Sequence, residues 1–239
     1  MLTFDTRKIP LSSGSRVLDL GCGQGRHAHA LFSSGNLRVY GLELELQQAR
    51  QARAGFKMLE SMRTLQEQSG YLLLQGNCLQ LPFAEKSLQA IVCCEVLEHL
   101  ENYHSALLEM KKVLQPGGLL VISVPRYGPE RICWALSREY QHEPGGHLRI
   151  FQARSLRLEI ERLGFSLYAR HWAHALHSPY WWLKCWKWTK RESWPLIRLY
   201  HRLLVWDMLK APIFTRSLER LLNPFLGKSV VLYFKKVVC

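Results

Sequence analysis

Acidic residues are scarce in this chain of 239 residues, which has 19 Asp and Glu against 32 Lys and Arg. The formal net charge of +13 points to an anionic partner, either nucleic acid or an anionic membrane surface. Charge alone does not choose between these two partners.

Long apolar runs are also lacking. No window holds about 18 uninterrupted apolar residues, so we expect no membrane-spanning helix. The first 15 residues are polar and have no apolar centre of the kind found in signal peptides, so we expect none. The seven cysteines form no C-x-x-C pair, which argues against zinc and favours a reducing, cytoplasmic compartment.

Strand-like apolar runs alternate with helix-like stretches, a pattern typical of a parallel sheet with helices on both faces. The helix-like stretch 44–69 is predicted to end at Gly70, and the stretch 153–163 at Gly164. The predicted strands are 16–20, 38–43, 71–75, 90–94, 119–125, 165–170 and 229–235.

We therefore expect an α/β fold with a Rossmann-like, seven-stranded sheet that is mostly parallel, with an antiparallel last strand. The stretch between the sixth and seventh strands is too long for a hairpin loop and predicts a helical insertion. The expected division is a core at 1–175, the insertion at 176–227 and the last core strand at 228–239.

Three alternating glycines, Gly21, Gly23 and Gly25, follow the first strand directly, and a helix is predicted to begin at Arg26. Glycine permits positive φ and leaves no Cβ between the backbone and a ligand. The following helix N-terminus favours an anionic or polar ligand group. The dinucleotide fingerprint G-x-G-x-x-G needs glycine at position 26, so Arg26 argues against NAD and FAD.

Polar residues also follow the next three strands, at the edge where open α/β sheets bind ligands. Glu43 ends the second strand about 20 residues beyond the glycines, a position suited to ribose hydroxyls. Asn77 and Cys78 follow the third strand, and the run Glu95 to His99 follows the fourth. These stretches predict one cofactor site.

This ordered series, together with Leu114-Gln115-Pro116-Gly117-Gly118 before the fifth strand, resembles the class I S-adenosylmethionine-dependent methyltransferases, specifically the type 11 group. The resemblance is close over residues 16–125 and loose over the last two strands. It implies S-adenosylmethionine as the cofactor, with the glycine turn at its methionine part and Asp19 supporting its amino group. Glu43 would hold the ribose.

The resemblance assigns further residues to the same site. Asn77 stands where the family commonly has Asp, and its side-chain oxygen can still accept a hydrogen bond from the adenine amino group. The other residues implied to contact the cofactor are Cys22, Cys78, Cys94 and Glu95. Glu43 as a solvated acid at a helix start and Asn77 as an ordinary turn residue stay open as alternatives.

A sulfonium methyl group is already activated, so the protein mainly has to orient the acceptor. A general base is needed only if the acceptor carries a proton, and His142 and His147 after the fifth strand are the candidates. Equally, both can be loop residues bonded to the backbone. Because neither has an acidic or cysteine partner at fitting spacing, the sequence predicts no metal site.

Tryptophan is concentrated in the insertion, which holds six of the eight tryptophans. Residues 177–227 contain nine Lys and Arg against three Asp and Glu, a net charge of +6. Tryptophan interleaved with lysine suits a water–lipid boundary. A helix is predicted from Pro195 to a stop at Pro212, with Leu196, Leu199 and Leu203 on one apolar face.

Three interpretations of the insertion compete: a cap packed on the sheet edge or a partner subunit, a lid over a hydrophobic substrate that also touches the membrane, and a nucleic-acid surface. The long aliphatic runs favour lipid over RNA. The residues predicted to line the acceptor pocket are His99, His174, His177, Tyr180 and Trp181.

The sequence thus predicts a methyltransferase for a hydrophobic small molecule or lipid, cytoplasmic and able to bind the inner face of the membrane. The alternatives are a tRNA methyltransferase and a non-catalytic cofactor-binding protein. No protein partner can be named from the sequence.

Overall fold

The computed structural model describes residues 2–62 and 69–238. Within these residues, seven strands form one sheet in the order β3-β2-β1-β4-β5-β7-β6. The strands β1 to β5 pair in parallel, and β7 runs antiparallel to both β5 and β6. The strands are β1 Arg16–Leu20, β2 Arg38–Glu43, β3 Gly70–Gln75, β4 Leu88–Cys94, β5 Leu114–Pro125, β6 Phe165–Ala173 and β7 Ser229–Lys236. The predicted fold class is confirmed.

Helices cover both faces of this sheet. Alternate residues of β1 point to opposite faces, so that Val17 joins one core and Leu18 the other. The helices are α1 Arg26–Ser34, α2 Leu46–Ser61, α3 Tyr103–Val113, α4 Tyr127–Leu136, α5 Arg138–Gln141, α6 Ala153–Arg162, α7 His177–Trp186, α8 Pro195–Lys210 and α9 Ile213–Leu226. The two cores fix the strands, and hence the positions of the turns at their carboxyl ends.

Two predicted boundaries differ most from the structure, whereas β4 begins only two residues earlier and β6 ends three residues later than predicted. Gly70 does not end a helix but begins β3, and α2 already ends at Ser61; the predicted helical residues 63–68 lie outside the described part of the chain. β5 begins at Leu114, five residues earlier than predicted, because Leu114 pairs with Leu88 across a bulge before the ladder resumes at Leu119. Local turn residues mark the bulge, but only the neighbouring strand shows that pairing continues.

Three helices, α7, α8 and α9, lie between β6 and β7, where the insertion is predicted. α8 begins at Pro195, as the sequence indicates. Its predicted apolar face does not pack on the sheet: Leu199 is 65% exposed, whereas Ile197 and Leu204 are buried. No helix in residues 2–62 and 69–238 has the length and apolar character needed to cross a membrane.

Candidate cofactor and acceptor site

A cavity of about 570 Å³ lies at the carboxyl ends of β1 to β4. Its volume is within the usual range of small-molecule sites. Six of the residues predicted to bind the cofactor line it, namely Gly21, Gly23, Glu43, Asn77, Cys78 and Glu95. The parallel strands bring these residues together because each lies at the same edge of the sheet.

The first turn of the cavity depends on glycine. Gly21 has φ +70°, and a Cβ at this position would come within 2.5 Å of Val96 Cγ2. A larger residue would therefore be strained and would also displace Val96. Gly25 caps α1 with φ 88° and lies behind the turn, so it shapes the cavity without lining it.

The Glu43 carboxylate holds the glycine turn against the end of β2. Its Oε2 accepts the Gly23 N–H at 2.8 Å, and its Oε1 accepts the N–H groups of Leu44 and Glu45 at 2.9 and 3.1 Å. A carboxylate has about four acceptor positions. One position therefore remains for a ligand hydroxyl on the wall of the cavity.

Asp19 lies below the turn and is fully buried. Its Oδ2 accepts the Ala28 N–H at 2.8 Å, while its Oδ1 has no hydrogen-bond partner within the described residues. Burial raises the pKa of this carboxyl to about 7, although the bond from Ala28 opposes the shift. An unpartnered buried carboxylate oxygen is costly, and a cationic ligand group nearby would relieve that cost.

The remaining predicted cofactor residues differ in their placement. Asn77 Oδ1 accepts the Leu79 N–H at 2.9 Å, which is a turn interaction, but the same oxygen has a second lone pair. The thiols of Cys22 and Cys94 are buried in the core beneath the cavity and do not line it. Burial raises the pKa of both thiols, which keeps them protonated.

A second, smaller cavity of about 170 Å³ shares Glu95 with the first. Glu95 has φ 57°, and its Oε1 accepts the Ser123 hydroxyl at 2.7 Å, so both its backbone and its side chain are fixed. Three residues predicted to bind the acceptor, His174, His177 and Trp181, line this second cavity. α7 supplies His177 and Trp181, and His174 follows β6.

Both histidines of this cavity are neutral near pH 7. Burial lowers the pKa of His177 to about 4 and that of His174 well below its ordinary value. The Nδ1 of His177 is buried and has no hydrogen-bond partner in the described part of the chain. A neutral imidazole can orient a polar group of a ligand by a hydrogen bond.

The structure separates the other two acceptor candidates from this group. Tyr180 packs against Ile197 and Leu204 inside the insertion and lines neither cavity. His99 lines the first cavity instead of the second. The sequence reasoning missed five residues of the second cavity, Thr3, Arg26, Met208, Lys228 and Ser229. No local signal marks Thr3 or Lys228. Thr3 lies here because its carbonyl oxygen is 3.2 Å from His171 Nε2 on β6, and Lys228 because it directly precedes β7.

The two candidate bases also differ. His142 is exposed, its Nδ1 lies 2.8 Å from the Arg138 carbonyl oxygen, and it lines neither cavity. His147 has a side chain only 14% exposed, with its Nδ1 2.7 Å from Glu130 Oε1. Its ring lies 5.0 Å from that of His99, centroid to centroid. Only His147 therefore comes close to the cavity wall.

A family model described as a methyltransferase domain matches residues 5–170. The chain belongs to the class I S-adenosylmethionine-dependent methyltransferases. The type 11 group indicated by the motifs is consistent with this match. The cofactor of the family, S-adenosylmethionine, fits the residues present, since Gly21 leaves room where a Cβ would collide and Asp19 offers an unpartnered oxygen.

Curated relatives match about two thirds of this methyltransferase. A probable S-adenosylmethionine-dependent methyltransferase from Mycolicibacterium smegmatis is 28% identical over 155 residues, 65% of this chain and 53% of that protein. A sterol 24-C-methyltransferase from Gibberella zeae is 26% identical over 153 residues, 64% of this chain and 35% of that protein. The chain thus spans about half the length, or less, of these relatives.

A solved structure shares the fold over nearly the whole methyltransferase. It is a putative methyltransferase from Bacillus halodurans C-125, with a TM-score of 0.64 and 18% identity. The likeness covers 98% of this chain and 97% of that one. At this identity the likeness shows the fold alone.

Proposed function

We propose that this methyltransferase transfers the methyl group of S-adenosylmethionine to a hydrophobic small molecule or lipid by in-line displacement. The observation that carries the proposal is the pair of cavities that share Glu95. Cofactor in the first cavity and acceptor in the second would meet at this residue. The sterol methyltransferase among the relatives supports an apolar acceptor.

The cofactor supplies a sulfonium methyl group that needs no further activation. The chain would position the two reactants: Glu43 and the glycine turn hold the cofactor, and Trp181 gives the acceptor an apolar wall. His177 Nδ1 would orient a polar group of the acceptor. Positioning of this kind can lower a barrier by about 7 to 11 kcal/mol.

An exposed apolar surface on the insertion supports a lipid environment. We define the insertion surface as Leu199, Leu203 and Trp206 of α8 together with Ile213, Phe214, Leu221 and Phe225 of α9. Ile213 is 86% exposed, and Phe214 and Phe225 are about equally exposed, at 75% and 74%. Large exposed apolar patches mark interaction sites, and amphipathic helices bind membrane interfaces through them.

Basic residues accompany this insertion surface. Arg198 and Arg202 lie on α8, and Arg216 and Arg220 lie on α9. Each basic residue near an anionic lipid surface contributes up to about 1 kcal/mol. Together with the exposed phenylalanines, these charges would hold the methyltransferase reversibly at an anionic membrane. Met208 of α8 also lines the second cavity.

To test this, the full chain is incubated with methyl-labelled S-adenosylmethionine in two separate reactions. One reaction contains a cell lipid extract and the other bulk tRNA. We expect one lipid class to become labelled and heavier by one methylene unit in mass spectrometry. Label in tRNA instead would favour the nucleic-acid alternative, which the net charge of +13 permits. Binding to anionic liposomes and to tRNA, each followed as salt is raised, separates the two partners independently of turnover.

A further inference from the structure

A cluster of three side chains, Glu98, His99 and His147, has no part in the function proposed above. The cluster lies beside the first cavity, called the cofactor cavity from here on. Each side chain offers one ligand atom, and these atoms all lie within 4.8 Å of one another. Glu98 and His99 follow β4, whereas His147 comes from the segment between α5 and α6. The Leu148 N–H donates to the Glu98 carbonyl oxygen at 2.9 Å and holds the two segments together.

The Glu98 side chain is the strongest sign of a missing ligand. It is 0% exposed, and within residues 2–62 and 69–238 neither carboxylate oxygen has a hydrogen-bond partner. A buried carboxylate is normally paired or bound to a metal, because leaving it alone is very costly.

Within residues 2–62 and 69–238, each histidine of the cluster has its Nδ1 engaged and makes no hydrogen bond through its Nε2. His99 Nδ1 lies 3.0 and 3.1 Å from the carbonyl oxygens of Gly145 and Gly146, so it carries the proton and donates. His147 Nδ1 donates to Glu130 Oε1 at 2.7 Å. Metal-binding histidines characteristically donate their second ring N–H to a carboxylate or a backbone carbonyl, which fixes the ring and its tautomer.

Glu130, which accepts the hydrogen bond from His147, is itself held in place by a second hydrogen bond. The Glu130 carboxylate accepts hydrogen bonds from both His147 and Tyr140. Tyr140 donates its hydroxyl to the same Oε1 at 2.8 Å. The hydrogen bond to Glu130 fixes the orientation of the His147 ring and makes its Nε2 a better ligand.

We propose that Glu98, His99 and His147 bind one divalent transition-metal cation of the zinc class at the edge of the cofactor cavity. Two imidazoles and one carboxylate are a ligand set of catalytic zinc sites, in which a further position stays open. Mg²⁺ prefers oxygen ligands and should bind far more weakly. The sequence predicts no metal site, because His142 and His147 lack a partner at fitting spacing; the fold brings Glu98 and His99 to His147 instead.

The position of the site suggests its use, and this step rests on the proposed function. His99 lines the cofactor cavity, which shares Glu95 with the second cavity. The cation would therefore favour an acceptor that extends from the second cavity past Glu95 and carries a hydroxyl group whose oxygen fills the open position. The metal lowers the pKa of that hydroxyl, and its proton leaves to water. The acceptor oxygen then bonds to the methyl carbon as the carbon–sulfur bond breaks, leaving S-adenosylhomocysteine.

The test is a calorimetric titration of ZnCl₂ into the tag-free, EDTA-treated full chain, without cofactor. We expect one zinc per chain in the wild type, and at least tenfold weaker binding in Glu98→Gln and His147→Ala. Glu130→Gln should weaken binding about 10- to 100-fold, as loss of a supporting carboxylate does elsewhere. The matched control is His142→Ala, a histidine of the same segment, which should bind zinc like the wild type.

Zinc binding that is absent from the wild type, or equal in all these variants, would overturn the proposal. A melting curve of each variant without metal checks that the variant folds. Glu98→Gln keeps the shape of the side chain. If Glu98→Gln fails to fold, His99→Ala, at an exposed position, takes its place in the titration. S-adenosylhomocysteine titrated into the same samples separates the two proposals. Cofactor binding without a zinc site would leave the proposed function intact, and a zinc site without cofactor binding would refute only that function.

Discussion

Two regions of the molecule differ in how their side chains are partnered. Polar groups such as Glu43 at the carboxyl edge of β1 to β4 are hydrogen-bonded within the protein, whereas several large apolar side chains on the insertion of α7 to α9 are exposed. At the edge, Glu43 takes three backbone N–H groups, and the turn at Gly21 is fixed before any ligand arrives. On the insertion, Leu209 is 77% exposed and Ile213 86% exposed. The edge is thus preorganised for a small polar ligand, whereas the insertion is built to meet an apolar partner.

The largest effect should come from filling the glycine turn. Gly21→Ala adds a Cβ at φ +70°, 2.5 Å from Val96 Cγ2. The left-handed conformation costs about 1–2 kcal/mol and the overlap about 1–3 kcal/mol, so affinity for S-adenosylhomocysteine should fall roughly 100-fold. Equilibrium binding measures it. Gly128→Ala, where a Cβ meets nothing within 4 Å, is the control and should bind normally.

The second cavity should control turnover without controlling cofactor affinity. Trp181→Ala or His177→Ala should lower kcat/KM for the acceptor at least about tenfold, a cost near 1.4 kcal/mol. Cofactor affinity should change little, because neither residue lines the cofactor cavity. Trp186→Ala, a 56% exposed tryptophan on the same helix, is the control. Loss of cofactor binding in Trp181→Ala would show that the second cavity also determines cofactor affinity, against this prediction.

Substitutions in the insertion surface should weaken membrane binding and leave cofactor binding unchanged. Phe225→Ser or Phe214→Ser removes a ring that would otherwise enter the lipid boundary, worth about 1.5 kcal/mol and hence about tenfold in vesicle partitioning. Co-sedimentation with anionic vesicles measures the change. Met58→Ser on α2, at a 60% exposed apolar position, should leave partitioning unchanged. Equal losses in Met58→Ser and Phe225→Ser would speak against a specific insertion surface.

The smallest effect concerns pH. Asp19 has its pKa raised from 3.8 to about 7 by burial. Between these values the folded state keeps a proton that the unfolded state has lost, so the free energy of unfolding of the ligand-free protein falls as pH rises. Affinity for the cationic amino group of the cofactor should rise several-fold from pH 6 to pH 8, as Asp19 ionises.

Asp19→Asn checks this assignment. The variant should lose both the fall in melting temperature between pH 5 and about 7 and the rise in cofactor affinity. An unchanged pH profile in Asp19→Asn would assign the titration to another group.

The sequence predicts the edge better than the insertion for a physical reason. β1 and β2 begin and end where their apolar runs do. The positions of Glu43 and of the glycine turn therefore follow from the local sequence alone. The early start of β5 depends on Leu88, a partner on another strand. The site of Glu98, His99 and His147 depends on a chain segment folding back, and spacing along the sequence carries no trace of that.

The apolar face of α8 shows the same limit. Helical periodicity correctly places Leu199 and Leu203 on one side of the helix, but periodicity does not say what covers that side. The structure exposes it and buries Ile197 and Leu204 instead.

The carboxyl edge of β1 to β4 should bind S-adenosylmethionine independently of the insertion. Calorimetric titration of S-adenosylmethionine into the wild type, Gly21→Ala and Trp181→Ala tests this independence most directly. We predict saturable one-to-one binding in the wild type, the same affinity in Trp181→Ala and roughly 100-fold weaker binding in Gly21→Ala. No binding to the folded wild type, or equal binding to Gly21→Ala, would contradict the account.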